Sequence, residues 1–176
     1  MRYHYKNCSG LKKILNEKWF KVYAVVLFAL VFVLGCQKNE VTNSNSSETE
    51  ATQMKDWLDA NVKSNKNIDT TSTGLYYIVD KIGSGTKVLT GDSLTVKYTG
   101  MFMDGTVFDS SPSFSYVHKA TGQRMIQGWE EGIEVLSKGG SAIFLIPSAK
   151  AYGDYGYAII PPFSPLLFTI EVIDIK

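Results

Sequence analysis

The residues able to do nucleophilic or metal chemistry are few. The chain has two histidines, His4 and His118, and two cysteines, Cys8 and Cys36. Only His118 lies in the part that reads as a folded domain, so a His-based triad lacks partners, and no Cys/His spacing suits zinc. Glu130, Glu131 and Glu134 fall on one short helical stretch, which reads as a solvated face. What stands out instead is a series of aromatic and aliphatic side chains held between turn signals. These are Tyr98, Phe108, Phe114, Met125, Ile126, Trp129, Tyr152, Tyr157, Ile159, Ile160 and Phe168, with Asp109 among them. On composition alone Tyr98, Phe108, Ile126 and Phe168 read equally as core, and Asp109 as the start of a turn with Ser110 and Ser111. No metal or cofactor is expected.

The elements that must position these residues are short. Leu75–Val79 and the alternation of Leu94, Val96 and Tyr98 with Thr95, Lys97 and Thr99 predict strands. Asp104-Gly105 predicts a hairpin turn. Ala142–Ile146 is apolar throughout, as in a strand buried on both faces, and Leu166–Ile173 supplies a closing strand. The one convincing helix of this region runs from Trp129 to Leu136, ended by Gly139-Gly140. One helix among about five strands gives an α+β class, with the helix covering one face of the sheet.

The spacing of these residues resembles one family. Val96-Lys97-Tyr98-Thr99-Gly100 and Asp104-Gly105-Thr106-Val107-Phe108-Asp109-Ser110-Ser111 are similar to the V-x-Y-x-G and D-G-x-x-F-D-S-S motifs of FKBP-type peptidyl-prolyl cis-trans isomerases. Gly128-Trp129-Glu130-Glu131-Gly132, Ala151-Tyr152-Gly153 and Ile159-Ile160-Pro161-Pro162 match G-W-E-E-G, A-Y-G and I-I-P-P in the same order. The resemblance implies a twisted antiparallel half-barrel sheet wrapped over one short α-helix, spanning residues 70–176. It implies Trp129 as pocket floor and Tyr98, Phe108, Phe114, Met125, Ile126, Tyr152 and Phe168 as walls, with Tyr157 in the flap and Tyr157, Ile159 and Ile160 as further substrate-binding positions. Asp109 would be a buried polar group, and the Ile126 N–H and Tyr152 hydroxyl would bind substrate carbonyls. Two departures stand out. Only Pro112 and Ser113 separate Ser111 from Phe114, and the arginine that usually pairs with the pocket aspartate is missing there, leaving Lys119 or Arg124 as substitutes.

The residue types suit the implied reaction. Rotation about an X-Pro bond faces a barrier of about 18–20 kcal/mol because the C–N bond has partial double-bond character. That character rests on charge separation, which a dry aromatic pocket disfavours. Lowering the barrier by about 4 kcal/mol accelerates rotation roughly a thousandfold. The resemblance implies proline-containing polypeptides as substrates and FK506-type macrolides as possible ligands. It also leaves open an FKBP-fold chaperone or binding module with little turnover.

The N-terminal part reads as an export signal. Residues 1–35 carry six of the 18 basic residues and one of the 17 acids, leaving 12 basic against 16 acidic residues in the remainder. A mildly acidic body argues against nucleic acid as a partner. The basic stretch precedes an apolar run, Val22–Gly35, that is short for a membrane span but suits a signal-peptide core of about 7–15 residues. It ends in Val33-Leu34-Gly35-Cys36, which resembles a bacterial lipobox with Cys36 as the lipidated residue. The expected organisation is a lipoprotein signal peptide (1–35), a flexible polar tether (36–54), a short helical lead-in (55–69) and the isomerase domain. The expected protein is a lipid-anchored monomer of the cell envelope, the outer membrane favoured, on its periplasmic or surface face.

Overall fold

The computed structural model describes residues 45–122 and 125–176. The signal segment, Cys36 and the first part of the tether lie outside the described residues. Within them the chain forms helix α1 (Ser47–Lys63), strands β1 (Asp69–Thr70), β2 (Tyr76–Lys81), β3 (Ser93–Met101) and β4 (Val107–Val117), helix α2 (Gln127–Ile133), and strands β5 (Ser141–Ile146) and β6 (Leu166–Ile175). A short 3-10 turn, Ser148–Lys150, follows β5.

The six strands make one antiparallel sheet in the order β1-β2-β5-β6-β3-β4. The α+β class, with α2 against one sheet face, is as expected. Strand alternation decides which side faces the helix. Leu94 and Val96 of β3 and Ile170 and Val172 of β6 are fully buried, and Trp129 and Ile133 of α2 pack into the same core. The helix lies close because Gly132 has no side chain: a Cβ there would stand 2.8 Å from Phe144 Cδ1. β5 is apolar because it is covered on both sides, as its sequence suggests.

Turn chemistry sets the β3–β4 hairpin. The Asp104 carboxylate accepts from the Thr106 N–H at 2.8 Å, and Gly105 takes a positive φ of 86°. The expected loop at Pro112-Ser113 does not leave the sheet. Val96 pairs with Phe114 and Tyr98 with Ser111, so Pro112 and Ser113 form a bulge opposite Lys97. β4 is an edge strand, where a proline without an N–H is tolerated.

Two helix boundaries differ from expectation. α2 covers Gln127–Ile133 rather than Trp129–Leu136. The larger correction is at α1, which begins at Ser47, inside the expected tether, and ends at Lys63. Ser46 caps it by accepting from the Thr49 N–H at 3.2 Å, and Glu48 and Glu50 place negative charge in its first turn. Low hydrophobicity suggested a coil, but the helix gains partners outside itself. Glu50 accepts from the Ser148 N–H and hydroxyl at 2.6 and 2.7 Å, and the Asn45 amide donates to Ser164 Oγ at 3.0 Å. Half-buried Glu50, Gln53, Met54, Trp57, Leu58 and Asn61 recur at helical spacing. Val62, expected beside Trp57 and Leu58, is exposed.

Candidate functional site

Five aromatic rings from four elements converge where α2 meets the sheet. Trp129 is 1% exposed, and its ring meets Tyr98 (centroids 5.1 Å apart) and Phe168 (5.3 Å), both edge to face. Phe108 contacts Phe168 edge to face at 5.6 Å, and Phe114 meets Tyr98 at 5.8 Å. These arrangements suit the quadrupoles of the rings and fix their mutual geometry. The rings approach closely because β3 has glycine at position 100. A Cβ on Gly100 would lie 2.8 Å from both Phe108 Cζ and Phe168 Cε1.

The floor is held from behind by a residue that sequence reasoning missed. Tyr116 is 4% exposed and accepts a 2.8 Å hydrogen bond from Trp129 Nε1. The indole N–H is therefore satisfied inside the domain, leaving the ring as a purely apolar surface. Tyr116 lies two residues beyond Phe114 on the same face of β4, the signal from which its inward direction could have been read. Phe102 was also missed; it packs on Phe108 with centroids 5.0 Å apart.

Met125, Ile126 and Tyr152 pack against this cluster as partly buried side chains. Ile126 precedes α2 in extended conformation, and its carbonyl accepts from the Trp129 and Glu130 N–H groups at 3.0 and 3.1 Å. Its own N–H has no partner among the described residues. Tyr152 follows the 3-10 turn and stacks on Tyr157 at 5.4 Å. Burial, with the charges of Asp109 and Tyr157, pushes its hydroxyl pKa upward, and no hydrogen bond within the described residues contributes. Both donors are thus free among the described residues. Ile160 is buried in the core, whereas Ile159 and Tyr157 stand out from the surface at 68% and 67% exposure. The sequence-derived pocket set therefore splits into an inner ring cluster and an exposed rim.

Asp109 corrects an expectation. It is exposed rather than buried, because it lies on the outer strand β4. Its partner is the Tyr98 hydroxyl, which donates to Asp109 Oδ2 at 2.7 Å. Burial, the Asp109 hydrogen bond and nearby charge push Tyr98 up to about 12, so the phenol stays a donor at neutral pH. Lys119, one candidate partner for Asp109, instead pairs with Glu134 at 2.6 Å, and Arg124 lies outside the described residues.

The two acids of α2, Glu130 and Glu131, and Glu134 at its C-terminal cap are not a solvated face. Glu131 receives the Lys150 ammonium at 2.6 Å and the hydroxyls of Thr71 and Thr73. Glu130 Oε2 lies 2.6 Å from Nδ1 of fully buried His118, off the direction of the ring N–H, and Glu134 Oε1 lies 3.0 Å from Nε2. Glu130 Oε1 also accepts from the Met125 N–H at 3.3 Å. These contacts secure the helix that carries the floor and the segment that carries Met125 and Ile126.

The chain matches the family model described as FKBP-type peptidyl-prolyl cis-trans isomerase over residues 84–173. It is 34% identical over 141 residues to the FKBP-type isomerase FkpA of Aeromonas hydrophila, covering 78% of this chain and 52% of that protein. A probable FKBP-type isomerase of Haemophilus influenzae is 35% identical over 134 residues, covering 76% of this chain and 56% of the other. The chain thus spans about half the length of these curated relatives. Among solved structures, FkpA from Escherichia coli superposes with a TM-score of 0.59 at 30% identity, covering 94% of this chain and 75% of that one. A peptidyl-prolyl cis-trans isomerase from Pseudomonas syringae superposes with a TM-score of 0.62 at 28% identity, covering 73% and 92%. With the six-stranded antiparallel sheet, the buried tryptophan and the ring cluster in place, the chain belongs to the FKBP-type peptidyl-prolyl cis-trans isomerase family.

Proposed function

We propose that this chain catalyses cis-trans isomerisation of X-Pro bonds in polypeptides and so assists the folding of exported proteins. The observation that carries this reading is an aromatic ring cluster flanked by two donors, the Ile126 N–H and the Tyr152 hydroxyl, that are free among the described residues. The proline ring rests on the apolar face of Trp129, between Tyr98, Phe108 and Phe168. The two donors hold carbonyls of the flanking peptide units and so align the segment. The carbonyl of the X-Pro bond itself faces aromatic wall and loses water. This disfavours the planar, charge-separated amide relative to the twisted one. The Tyr98–Asp109 pair braces the wall from the solvent side. An FK506-type macrolide is a ligand for the same pocket.

The test is exchange spectroscopy on a short proline peptide with the full chain. Acceleration well above the uncatalysed rate is expected, and an uncatalysed rate from a folded chain would overturn the reading in favour of a binding module. Tyr152→Phe should lower kcat/KM about tenfold, the worth of one hydrogen bond of roughly 1.4 kcal/mol. Because that hydroxyl has no bond within the described residues, its removal should leave the thermal midpoint unchanged.

The Cys36 pattern supports a lipid anchor in the cell envelope, with the outer membrane favoured. Cys36→Ser should move the protein from the membrane pellet to the soluble fraction, whereas continued pelleting would point to an uncleaved anchor.

A further inference from the structure

Helix α1 does more than lead into the domain. Beside it lies a cleft of about 280 Å³, separate from the ring cluster. Its apolar wall is built by Phe102, Met103, Ile159, Pro161 and Pro165, and α1 supplies Gln53. The Asp104 carboxylate stands at its edge. α1 closes one side of the cleft and is held there by Glu50 on Ser148, with Asn45 just before it on Ser164. A chain that left this helix as coil would lack one side of it.

The cleft adjoins the ring cluster through one shared wall. Phe102 lines it and also packs on Phe108 at 5.0 Å, and Phe108 in turn contacts Phe168 at 5.6 Å. The two ring-to-ring steps are spanned by about three residues of extended chain, at roughly 3.3 Å each. Ile159, 68% exposed, borders the cleft on the other side and is followed directly by buried Ile160. An apolar side chain left in water at this junction has surface to gain by covering it. Its volume is near the lower end for a ligand site, roughly 300 Å³, and suits one large side chain rather than a cofactor.

We propose that this cleft is a second subsite for the substrate polypeptide. It takes a large aliphatic or aromatic side chain lying about three residues from the isomerised proline, and α1 completes it. The inference rests on the isomerase reading for its substrate. It adds a selectivity that the proline pocket alone does not supply: unfolded segments with an apolar residue at that distance are preferred over short or polar ones. Gln53 offers an amide that donates to and accepts from the passing backbone, while Phe102, Met103 and Pro165 accommodate the side chain.

The experiment compares two peptides on the full chain. One is the core Ala-Leu-Pro-Phe, and the other carries the same core between flanks that place leucine about three residues away on either side. Burying one leucine is worth roughly 1.5–3 kcal/mol, so the flanked peptide should bind at least about tenfold more tightly by fluorescence anisotropy and show a correspondingly lower KM. Met103→Asp should abolish that margin and leave the core peptide within about twofold of the unaltered chain. Gln53→Trp, which fills the cleft from a helix that contributes no fully buried residue, should do the same without threatening the fold. Equal affinity for the two peptides, or equal losses on both in the Gln53→Trp chain, would overturn the subsite. A chain that prefers the flanked peptide by a Met103-dependent margin, yet isomerises neither, loses the proposed activity and keeps the subsite.

Discussion

The two flanks of α2 are built from opposite materials. On one, Trp129 faces Tyr98 and Phe168 in an aromatic cluster, with its indole N–H satisfied by the Tyr116 hydroxyl. On the other, Glu130 and Glu134, one turn apart, close on fully buried His118, and Glu134 also takes Lys119. Glu131 binds Lys150 on a third side. A seven-residue helix has too few hydrogen bonds to hold itself in water. The comparison teaches that the apolar flank provides the surface for chemistry while the charged flank supplies the fixed position. The floor of a dry pocket is then only as well placed as the ionic contacts behind it.

The largest effect should come from breaking the charged flank. His118→Leu removes the partner of two carboxylates, and the Glu130 side chain is only 12% exposed. Losing its closest polar neighbour should cost roughly 1–3 kcal/mol in urea unfolding. Isomerisation should fall as well, although no ring of the pocket has been touched. The paired change His118→Leu with Glu130→Leu should recover most of the stability, because an apolar replacement of both partners removes the penalty. A single variant that loses less than about 1 kcal/mol would show that ring packing alone fixes the helix.

The inner half of this comparison was legible in the sequence and the outer half was not. Trp129, Tyr98, Phe108 and Phe168 could be placed because strand alternation and turn residues fix which way their side chains point, and a family pattern fixes their register. The acids of α2 read as solvated because their partners, His118, Lys150, Thr71 and Thr73, come from segments up to 60 residues away. No local period records such a contact. The same holds for α1. Its cap at Ser46 is visible in sequence, but its docking depends on Ser148, 98 residues from Glu50. Asp109 was misjudged because the family pattern implied burial, whereas on β4 it follows half-buried Phe108 and faces outward.

The smallest effect separates the flanks by pH. Lys119's hydrogen bond, aided by His118, holds the Glu134 carboxyl below its usual range against the cost of burial. For Glu131 burial pushes upward, but the bonds from Lys150, Thr71 and Thr73 outweigh it and the net shift is also downward. A carboxyl whose folded pKa is depressed contributes stability that is present above its unfolded value of about 4.5 and is lost as pH falls through the folded value. The charged flank should therefore weaken between about pH 5 and pH 3, which a series of thermal midpoints would follow. Tyr98, raised to about 12, has the opposite sign. Its contribution is complete below an unfolded value of about 10 and is lost only as pH rises beyond it, so its part of the apolar flank adds no slope in acid. Glu134→Gln should shallow the acid slope by a measurable fraction and leave the alkaline limb unchanged. An acid limb identical in Glu134→Gln and the unaltered chain would place the acid sensitivity outside this contact, and the division of labour across α2 would then rest on burial rather than charge.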